Sequence, residues 1–291
     1  MAGYTVGVVI RTLNESALIG RCLEVLRAQR PAVNLDILVV DSGSTDSTVE
    51  IAIAHGARVA QMRPEDFDYS SALNLGMQEV HGDIVLILSA HAIPVDDEWV
   101  AHMLAPFNDP KVAGVCCRQL PWDDAPWDEV QRLARTFSAR RAVYGKADAE
   151  SIVFSNAASA IRRGAWRERP FTLPAAEDID WAQAVVQSEA KIVYEPAAAV
   201  FHSHRESPRA KARRLIDINR LNGPRTVRRT LREAAGLSVR DARAIAGLVE
   251  PRRRKARHLA EALCVAFFYV LDFSRDGSTA ERRRGDAAET A

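Results

Sequence analysis

The sequence lacks any apolar run long enough to cross a membrane, and its charges nearly cancel. No uninterrupted stretch reaches the roughly 18 apolar residues that a spanning helix needs. The chain has 291 residues, with 39 Lys and Arg against 38 Asp and Glu. This balance excludes a protein that is basic throughout, and segment 1–15 lacks the basic region and apolar core of a secretion signal. We therefore expect a cytoplasmic protein without a spanning helix.

Cysteine is scarce, and its spacing excludes two kinds of site. The four cysteines are Cys22, Cys116, Cys117 and Cys264. They match neither a CxxC zinc pattern nor the framework of a secreted, disulfide-rich domain. Cys116 and Cys117 lie together in an apolar run, so we expect buried free thiols and a reducing compartment.

A glycine-rich phosphate loop is also missing. The first predicted strand, Val6–Ile10, leads into the segment Arg11–Glu15 and not into a GxGxxG sequence. This excludes a dinucleotide-dependent oxidoreductase on a doubly wound sheet, and it argues against a sugar nucleotidyltransferase.

The first two-thirds of the chain alternates strand and helix patterns. Short apolar runs are typical of strands buried on both faces, and the segments between them carry an apolar stripe at helical spacing. This order predicts an α/β fold with a mostly parallel central sheet flanked by helices, extended later by mixed or antiparallel strands. The predicted strands are Val6–Ile10, Asp36–Val40, Ala57–Met62, Asp83–Leu88, Val112–Leu120, Ile152–Ile161 and a final pair, Lys191–Tyr194 and Ala197–Phe201; the predicted helices are Glu15–Gln29, Ser47–His55, Ser70–Val80 and one that opens at Glu177.

Polar side chains follow three of these strands, as Arg11-Thr12, Asp41-Ser42 and Ser89-Ala90-His91. Ligands of parallel sheets bind at the carboxyl ends of the strands, so we expect the three groups to meet at one edge. The Asp41 carboxylate suits a ribose hydroxyl or a base imide. His91 suits Mn²⁺ better than Mg²⁺, and its alternative is a hydrogen bond within the loop.

A cluster of acidic residues opens the helix at Glu177-Asp178-Ile179-Asp180-Trp181. Carboxylates at a helix start interact favourably with the helix dipole, but three in four positions are more than capping needs. A carboxylate held at a ligand-binding edge can act as a general base, and Asp178 is our candidate.

A pair of histidines closes this part of the chain at Phe201-His202-Ser203-His204. Histidines two positions apart on an extended segment point to opposite faces, so at most one of them reaches a metal or a diphosphate. We assign that role to His202.

Taken in order, these segments resemble the family 2 glycosyltransferases, which have the GT-A fold. The resemblance runs from about Thr5 to His204 and is strongest to rhamnosyltransferase-like members. The segments that carry it are Val8–Glu15, Val40–Asp46, Ala72–Gly76, Leu88–Pro94, Ser155–Ala157, Glu177–Asp178 and Val200–His204.

The resemblance implies an inverting sugar transfer from a nucleotide-diphosphate sugar, with rhamnose as the expected sugar. The acceptor would be a hydroxyl of a growing polysaccharide or a lipid-linked glycan. Asp178 matches the family's catalytic base, and His91 and His202 fall at its Mn²⁺ or Mg²⁺ ion. Nucleotide contacts fall on Thr12, Asn14, Glu15, Asp41 and Ser89, and donor or acceptor contacts fall on Asn74, Gln119, Asn156, Glu177 and Trp181.

One departure from the family pattern affects the metal. Ser89 and His91 stand where the family has an Asp-x-Asp pair. The identity of the metal and the need for one therefore stay open, and so does a second hypothesis. In that hypothesis the chain is a catalytically inactive relative that binds nucleotide and acts as a scaffold.

The C-terminal part of the chain differs from the catalytic domain expected over residues 1–204. Arginines crowd residues 205–257, and an apolar helix is predicted at Leu259–Phe273, so we expect a helical extension over 205–273 and a disordered tail over 274–291. The basic surface either packs on the catalytic domain or contacts an anionic membrane face. No base-reading module accompanies it, so no nucleic-acid partner is expected. The apolar helix either joins two copies in a homodimer or covers the core.

Overall fold

Nine strands form one sheet in the part of the chain that the computed structural model describes. That part comprises residues 3–203, 209, 211–213, 216, 258–260 and 262–265. The strands are β1 (Val6–Thr12), β2 (Leu35–Asp41), β3 (Arg58–Gln61), β4 (Ile84–Ser89), β5 (Ile93–Pro94), β6 (Val112–Leu120), β7 (Ala142–Tyr144), β8 (Ala158–Arg162) and β9 (Lys191–Phe201).

The sheet is parallel where the chain begins and mixed where it continues. Its order is β3, β2, β1, β4, β8, β6, β9 and β5, with β7 also paired to β9. The pairs of β1 with β2, β1 with β4 and β2 with β3 are parallel. Strand β8 runs antiparallel to β4 and β6, whereas β9 runs parallel to β6. The predicted α/β class and the mixed extension of the sheet are therefore confirmed.

Helices cover both faces of the sheet. They are α1 (Ile19–Arg27), α2 (Thr48–Ala54), α3 (Tyr69–Glu79), α4 (Trp99–Leu104), α5 (Trp127–Thr136), α6 (Arg163–Glu168) and α7 (Glu177–Gln187). Helices α1, α2 and α4 pack on one face, and α3, α6 and α7 pack on the other.

Alternate residues of each strand face different cores. In β1, Val8 and Ile10 belong to the core under α1, whereas Val9 belongs to the core under α3. Both faces are covered, which explains the unbroken apolar runs of the central strands. A Cβ atom at Gly76 would lie 2.4 Å from Cγ1 of Val9, so this glycine lets α3 approach β1 closely.

Three predicted elements have different bounds in the structure. The predicted final strand pair is one continuous strand, β9, whose register against β6 shifts between Cys117 and Arg118. Strand β9 pairs with β6 along one edge, and with β7 and β5 in turn along the other. This irregularity accommodates Glu195-Pro196 without a break, because a bulge absorbs extra residues in a strand.

The other two differences lie next to polar loops. Helix α1 begins at Ile19 and not at Glu15, and residues 16–18 form a turn before it. The backbone N–H groups of Glu15 and Ser16 donate to the side chains of Thr48 and Asp46. Strand β8 begins at Ala158, and the first half of the predicted strand Ile152–Ile161 is loop.

The described chain divides into two compact units. One comprises residues 1–125 and 129–203 and carries the sheet; the other comprises residues 126–128 and 204–291. Residues 209, 211–213, 216, 258–260 and 262–265 are helical, and the rest of the predicted extension and the predicted tail 274–291 lie outside the described residues. None of the helices described here combines the length and apolar character that crossing a bilayer requires.

The cysteines are free thiols, as the sequence predicts. Cys22, Cys116 and Cys117 are buried, and Cys264 is exposed. Burial raises the pKa of the Cys22 and Cys117 thiols to about 12, so both are uncharged packing groups at neutral pH.

Candidate active site

The three predicted strand ends lie side by side. Thr12 is the register partner of Asp41, and Arg11 is the register partner of Ser89. The segments that follow β1 and β2 are also hydrogen-bonded to each other, because the N–H of Ser42 donates to the carbonyl of Thr12 at 3.1 Å. The polar groups that follow β1, β2 and β4 thus share one edge of the sheet.

A fully buried carboxylate, that of Asp41, organises the loop after β2. The backbone N–H groups of Gly43 and Ser44 donate to its Oδ2 at 3.1 and 3.0 Å, and the Ser44 hydroxyl donates to Oδ1. Gly43 has φ of +95°, a conformation that favours glycine. A carboxylate has about four lone-pair sites, so Asp41 retains acceptor capacity for a ligand.

The loop after β1 docks onto this turn through Asn14. Asn14 has φ of 55°, its N–H donates to the Ser44 hydroxyl at 2.8 Å, and its Oδ1 accepts from the N–H of Thr45 at 2.8 Å. A non-glycine residue in this conformation is uncommon and is kept here by its hydrogen bonds.

Asp46 also links the loop after β1 to the loop after β2. It accepts hydrogen bonds from the Thr48 hydroxyl, the Thr48 N–H at 3.0 Å and the Ser16 N–H at 3.2 Å. These bonds lower the pKa of Asp46 to about 2, and the bond from the Thr48 side chain contributes most. We call the set of Thr12, Asn14, Glu15, Asp41 and Ser44–Thr48 the nucleotide edge, because the sequence resemblance predicts nucleotide contacts at the first four of these residues.

Two histidines stack beside the nucleotide edge. The rings of His91 and His202 lie 4.9 Å apart with an interplanar angle of 11°. Nδ1 of His91 lies 2.6 Å from Oε1 of Glu15, and Nδ1 of His202 lies 2.9 Å from Oε1 of Gln119. Both partners are oxygen acceptors, so each Nδ1 donates an N–H, and in a neutral ring Nε2 then carries the lone pair.

The two rings offer nitrogen ligands of the kind that divalent ions bind, but they lie nearly parallel, so one ring would have to turn for both to share an ion. Within the described residues no three His, Cys, Asp or Glu side chains surround a common point. A metal-binding histidine typically donates its other ring N–H to an oxygen, as both rings do here. Nε2 of His91 and Nε2 of His202 are the protein ligands that the arrangement offers, and imidazole favours Mn²⁺ over Mg²⁺.

Glu177 and Asp178, here called the acid pair, occupy the first turn of α7. Asn156 contacts both: its N–H donates to Oδ2 of Asp178 at 3.2 Å, and its side-chain amide donates to Oε1 of Glu177 at 3.3 Å. The N–H of Ile179 donates to Oδ1 of Asp178 at 2.8 Å. Burial raises the pKa of Asp178, and burial together with the neighbouring Asp178 raises the pKa of Glu177 to about 7.

A short path of contacts joins the acid pair to the strand ends. Ala157 follows Asn156, and its carbonyl accepts from the N–H of Ser89 at 2.9 Å. Ser89 is in turn the register partner of Arg11. The structure thus brings Thr12, Asp41, Ser89, Asn156 and Asp178 to one side of the sheet unit.

Sequence analysis assigned no individual role to Arg11, whose charge acts on the acid pair in the structure. Its guanidinium lies 4.9 Å from the centroid of the Tyr69 ring, and its charge lowers the pKa of both Glu177 and Asp178. The alternation of side chains along β1 indicates the face on which Arg11 lies, because Arg11 is two residues after Val9, which faces α3 and α7.

Two predicted contact residues are not part of this cluster. The side chain of Asn74 is engaged on both ends: its Nδ2 donates to the carbonyl of Phe171 at 2.9 Å, and its Oδ1 accepts from Nε1 of Trp166 at 2.9 Å. Trp181 is 1% exposed and donates from Nε1 to the carbonyl of Arg169. Both side chains stabilise the packing of α3, α6 and α7.

Comparison with known proteins identifies the family of the chain. A family model described as Glycosyl transferase family 2 matches residues 7–169, more than half of the chain. The chain belongs to glycosyl transferase family 2. It is therefore a glycosyltransferase, and its polar strand ends lie in the part that defines the family.

Curated relatives of this family 2 glycosyltransferase include two O-antigen chain rhamnosyltransferases. RfbN of Salmonella typhimurium is 30% identical over 219 residues, which cover 72% of this chain and 69% of that protein. WbaN of Salmonella anatum is 29% identical over 190 residues, which cover 62% and 60%. The chain is thus a rhamnosyltransferase-like member of the family.

Solved structures share its fold. The mannosyltransferase PcManGT from Pyrobaculum calidifontis, in complex with GDP-Man and Mn²⁺, has a TM-score of 0.57 and 20% identity, covering 99% of this chain and 81% of that one. Glucosyl-3-phosphoglycerate synthase from Mycobacterium tuberculosis, with Mn²⁺, UDP-glucose and phosphoglyceric acid, has a TM-score of 0.55 and 22% identity, covering 77% and 82%. The predicted GT-A fold is confirmed.

Proposed function

We propose that the chain transfers a sugar, with inversion, from a nucleoside-diphosphate donor to a hydroxyl group of a glycan or lipid-linked acceptor. The observation that carries this proposal is the path of contacts from the nucleotide edge through Ser89 and Asn156 to Asp178. A donor held at the strand ends would have a carboxylate beside its reacting carbon. Rhamnose is the donor sugar that the relationship to RfbN and WbaN supports.

The nucleotide edge offers groups that suit a nucleoside. The Thr12 hydroxyl is buried and has no hydrogen-bond partner among the described residues. Asp41 lies opposite it in the sheet register and accepts hydrogen bonds. A ribose or base that donates to Asp41 and bonds to Thr12 would satisfy both side chains. Such a ligand is favoured because an unsatisfied buried hydroxyl costs free energy.

In this proposal Asp178 acts as the base. As the acceptor oxygen forms its bond to the anomeric carbon, the bond from that carbon to the diphosphate oxygen breaks, and the hydroxyl proton moves to Asp178. Asn156 and Ile179 hold both carboxylate oxygens in position through their N–H groups. The buried amide nitrogen Nε2 of Gln119, without a partner in the described chain, is a further donor for the sugar or its leaving group.

His91 and His202 would hold a divalent ion through Nε2. Such an ion would neutralise negative charge on the departing diphosphate. Glu15 and Gln119 orient the two rings by accepting from Nδ1.

The proposal is tested by transfer from a panel of nucleotide sugars, including thymidine-diphosphate-rhamnose, with the anomeric configuration of the product read by NMR. Asp178→Asn should lower turnover by about 10²–10⁴-fold, the usual contribution of a general base, while the affinity for nucleoside diphosphate stays within about twofold. Asp180→Asn is the matched control, since Asp180 lies in the same helical turn and should keep near-normal turnover.

Three outcomes would count against parts of this account. Equal turnover of Asp178→Asn and the wild type removes Asp178 from the base role. A product with retained configuration rules out inversion. A wild-type chain that binds nucleotide but transfers no sugar supports the inactive scaffold, which Ser89 and His91 in place of Asp-x-Asp motivate.

We also propose that the enzyme works on the cytoplasmic side of a membrane, attached through its arginine-rich residues 205–257. Each basic residue near an anionic surface contributes about 1 kcal/mol, so a cluster is enough for reversible attachment. Sedimentation with anionic vesicles at low salt tests this, with neutral vesicles as the control. Equal recovery with both kinds of vesicle would contradict it.

A further inference from the structure

A cavity of about 400 Å³ lies on the same face of the sheet as the acid pair. Tyr144 and Tyr194 form part of its wall, and both side chains belong to the core that α3 and α7 cover. Arg140 lines it from the loop before β7, and Asp148 lines it from the turn Lys146–Ser151, which packs against α7. Ligand cavities measure about 300–1,000 Å³ and combine aromatic walls with a few polar groups, so this cavity suits a sugar residue.

A row of neighbouring residues connects the cavity to the acid pair. Tyr194 is the register partner of Cys116, and Cys116 is the register partner of Ser159. The Ser159 hydroxyl donates to Oδ1 of Asn156 at 2.8 Å, and Asn156 donates to both acids of the pair. Adjacent strands lie about 4.8 Å apart, so Tyr194 and Ser159 are about 10 Å apart across the sheet. The acid pair and the cavity therefore lie within the reach of one oligosaccharide.

Arg118 lies on this face of the sheet, close to the row. It is two residues after Cys116 in β6, so its side chain points to the same face as that of Cys116. The antiparallel register of β6 and β8, continued by two residues, places it beside Ala157, whose carbonyl accepts from the N–H of Ser89. Burial raises the pKa of Tyr194, and the charge of Arg118 opposes that rise, as expected for two side chains on one face.

Arg118 is a partly buried cation. Within the described residues its Nε has no hydrogen-bond partner, and no carboxylate there forms an ion pair with it. Asp178 accepts instead from the N–H groups of Asn156 and Ile179. A buried cation without a counter-charge costs free energy, so this position favours an anionic ligand. Arginine binds phosphate and carboxylate groups through two parallel hydrogen bonds.

The face on which Arg118 lies separates the acceptor from the donor. The next residue, Gln119, points to the opposite face and accepts from His202. The proposed diphosphate site is thus on the side of Gln119, whereas Arg118 shares its face with Asp178, which would receive the proton of the acceptor. An anion that Arg118 binds would therefore belong to the acceptor.

We propose that Arg118 and the cavity beyond it form the acceptor subsite, and that the acceptor carries a phosphate or carboxylate group close to the hydroxyl that reacts. Arg118 would bind the anionic group, and Arg140, Tyr144 and Tyr194 would contact the adjoining sugar. This inference rests on the proposed transfer to a glycan and names the chemical class of that glycan. A phosphate would come from a sugar joined to its carrier through phosphate, and a carboxylate would come from an acidic sugar.

The test measures the binding of two pairs of disaccharides that differ in charge. Maltose 1-phosphate is paired with maltose, and cellobiouronic acid is paired with cellobiose. Each is titrated into ¹⁵N-labelled protein in the presence of excess thymidine diphosphate, which occupies the donor site, and the dissociation constant is measured by NMR. At least one anionic disaccharide should bind about 10-fold or more tightly than its neutral counterpart. The pair with the larger difference identifies the anionic group as phosphate or carboxylate.

Variants of three arginines locate this binding. Arg118→Gln should weaken the anionic disaccharide about 10-fold or more and leave the neutral disaccharides and thymidine diphosphate within about twofold. Arg118→Lys keeps the charge and should retain part of the affinity. Arg140→Gln should weaken the neutral and anionic members of a pair alike. Arg135→Gln is the control and should bind as the wild type does, because Arg135 is exposed in the last turn of α5 and is not part of the cavity wall.

Two results would overturn the inference. One is that Arg118→Gln binds the anionic disaccharides as tightly as the wild type, or that neither anionic disaccharide binds more tightly than its neutral counterpart. The other is an equal loss of affinity for thymidine diphosphate in Arg118→Gln, because Arg118 would then belong to the donor site. Thermal unfolding checks that each variant is folded, and Arg118→Lys provides the same comparison if Arg118→Gln is not.

These binding measurements do not depend on turnover. Failure of the proposed function appears separately, as undiminished turnover of Asp178→Asn.

Discussion

The nucleotide edge and the acid pair use the same kind of side chain in opposite ways. Asp41 and Asp46 accept several hydrogen bonds each from nearby backbone N–H groups and hydroxyls, and these bonds hold two loops in one arrangement. Glu177 accepts a bond of 3.3 Å from the Asn156 side chain and is almost fully buried. The first environment lowers the pKa of Asp46, and the second raises that of Glu177.

The difference shows how one fold can provide both structural carboxylates and carboxylates that exchange protons. A carboxylate saturated with donors is a fixed structural anion and a poor proton acceptor. A buried carboxylate with few donors changes its protonation near neutral pH, which suits a general base and its neighbour. The sheet places both kinds within a few contacts of Ser89, so a bound donor would touch the rigid region with its nucleotide and the reactive region with its sugar.

The largest expected effect belongs to the rigid region. Asp41→Ala leaves three donors of Gly43 and Ser44 without their acceptor, at a cost of about 1.5–3 kcal/mol for each bond to a charged group. The loop should lose its shape, and the dissociation constant for nucleoside diphosphate should rise about 100-fold or more. Calorimetry measures the affinity. An affinity equal to that of the wild type would contradict the proposal that this region binds the nucleotide.

The next effect belongs to the acid pair and concerns stability. The pKa of Glu177 is about 7 in the folded chain against 4.5 as its ordinary value, so the folded state binds more protons between these pH values and stability falls as pH rises through them. Glu177→Gln removes this loss and should raise the free energy of unfolding at pH 8, relative to that at pH 4.5, by about 3 kcal/mol.

Urea unfolding at pH 4.5 and pH 8 measures that gain. The exposed Glu79→Gln should leave the difference between the two pH values unchanged. A Glu177→Gln protein with the same pH dependence as the wild type would show that Glu177 is an ordinary ionised carboxylate.

A smaller effect concerns the histidines that lie between the two regions. Gln119→Leu removes the acceptor that orients His202, and loss of such a partner typically lowers metal affinity about 10-fold or more. Mn²⁺ titration followed by electron paramagnetic resonance, with nucleoside diphosphate present, reads this directly. Gln78→Leu on the exposed side of α3 is the control. Equal Mn²⁺ affinity in both variants would remove His202 from the metal site.

The smallest expected effect returns to the nucleotide edge. The lowered pKa of Asp46 means that its contribution to stability is complete above its ordinary pKa of 3.8 and is lost as pH falls through about 2. Asp46→Asn should therefore flatten the acid end of the stability curve and leave the curve above pH 5 almost parallel to that of the wild type. Acid unfolding followed by circular dichroism tests this, with Asp123→Asn as the exposed control.

Periodicity and apolar runs predicted most of the sheet and the helices that pack on it. The bounds of β6 were predicted, and those of β1, β2 and β4 were predicted to within two residues, because strands buried on both faces consist mostly of apolar residues. The short strands β5 and β7 were not predicted, since two or three residues carry no period. Helices α4, α5 and α6 were not predicted either, and α4 and α6 have only six residues each. Strand β9 was divided in the prediction because Glu195-Pro196 reads as a turn, whereas the sheet accommodates it with a shift in register.

The candidate site was predictable where its residues end strands. Thr12, Asp41 and Ser89 follow apolar runs, and their meeting follows from the geometry of parallel strands. The position of Arg11 over Tyr69 of α3 depends on a contact between residues distant in sequence, and so was not predicted. Asn74 lies in a segment shared with the family, yet its hydrogen bonds to Phe171 and Trp166 are structural.

A crystal structure with a nucleoside diphosphate and Mn²⁺ tests the division between the two regions most directly. We predict the ribose or base within hydrogen-bond distance of Thr12 and Asp41, the ion on Nε2 of His91 and His202, and Asp178 facing the terminal phosphate. A nucleotide bound elsewhere, such as the cavity of about 400 Å³ lined by Arg140, Tyr144 and Tyr194, would contradict the account.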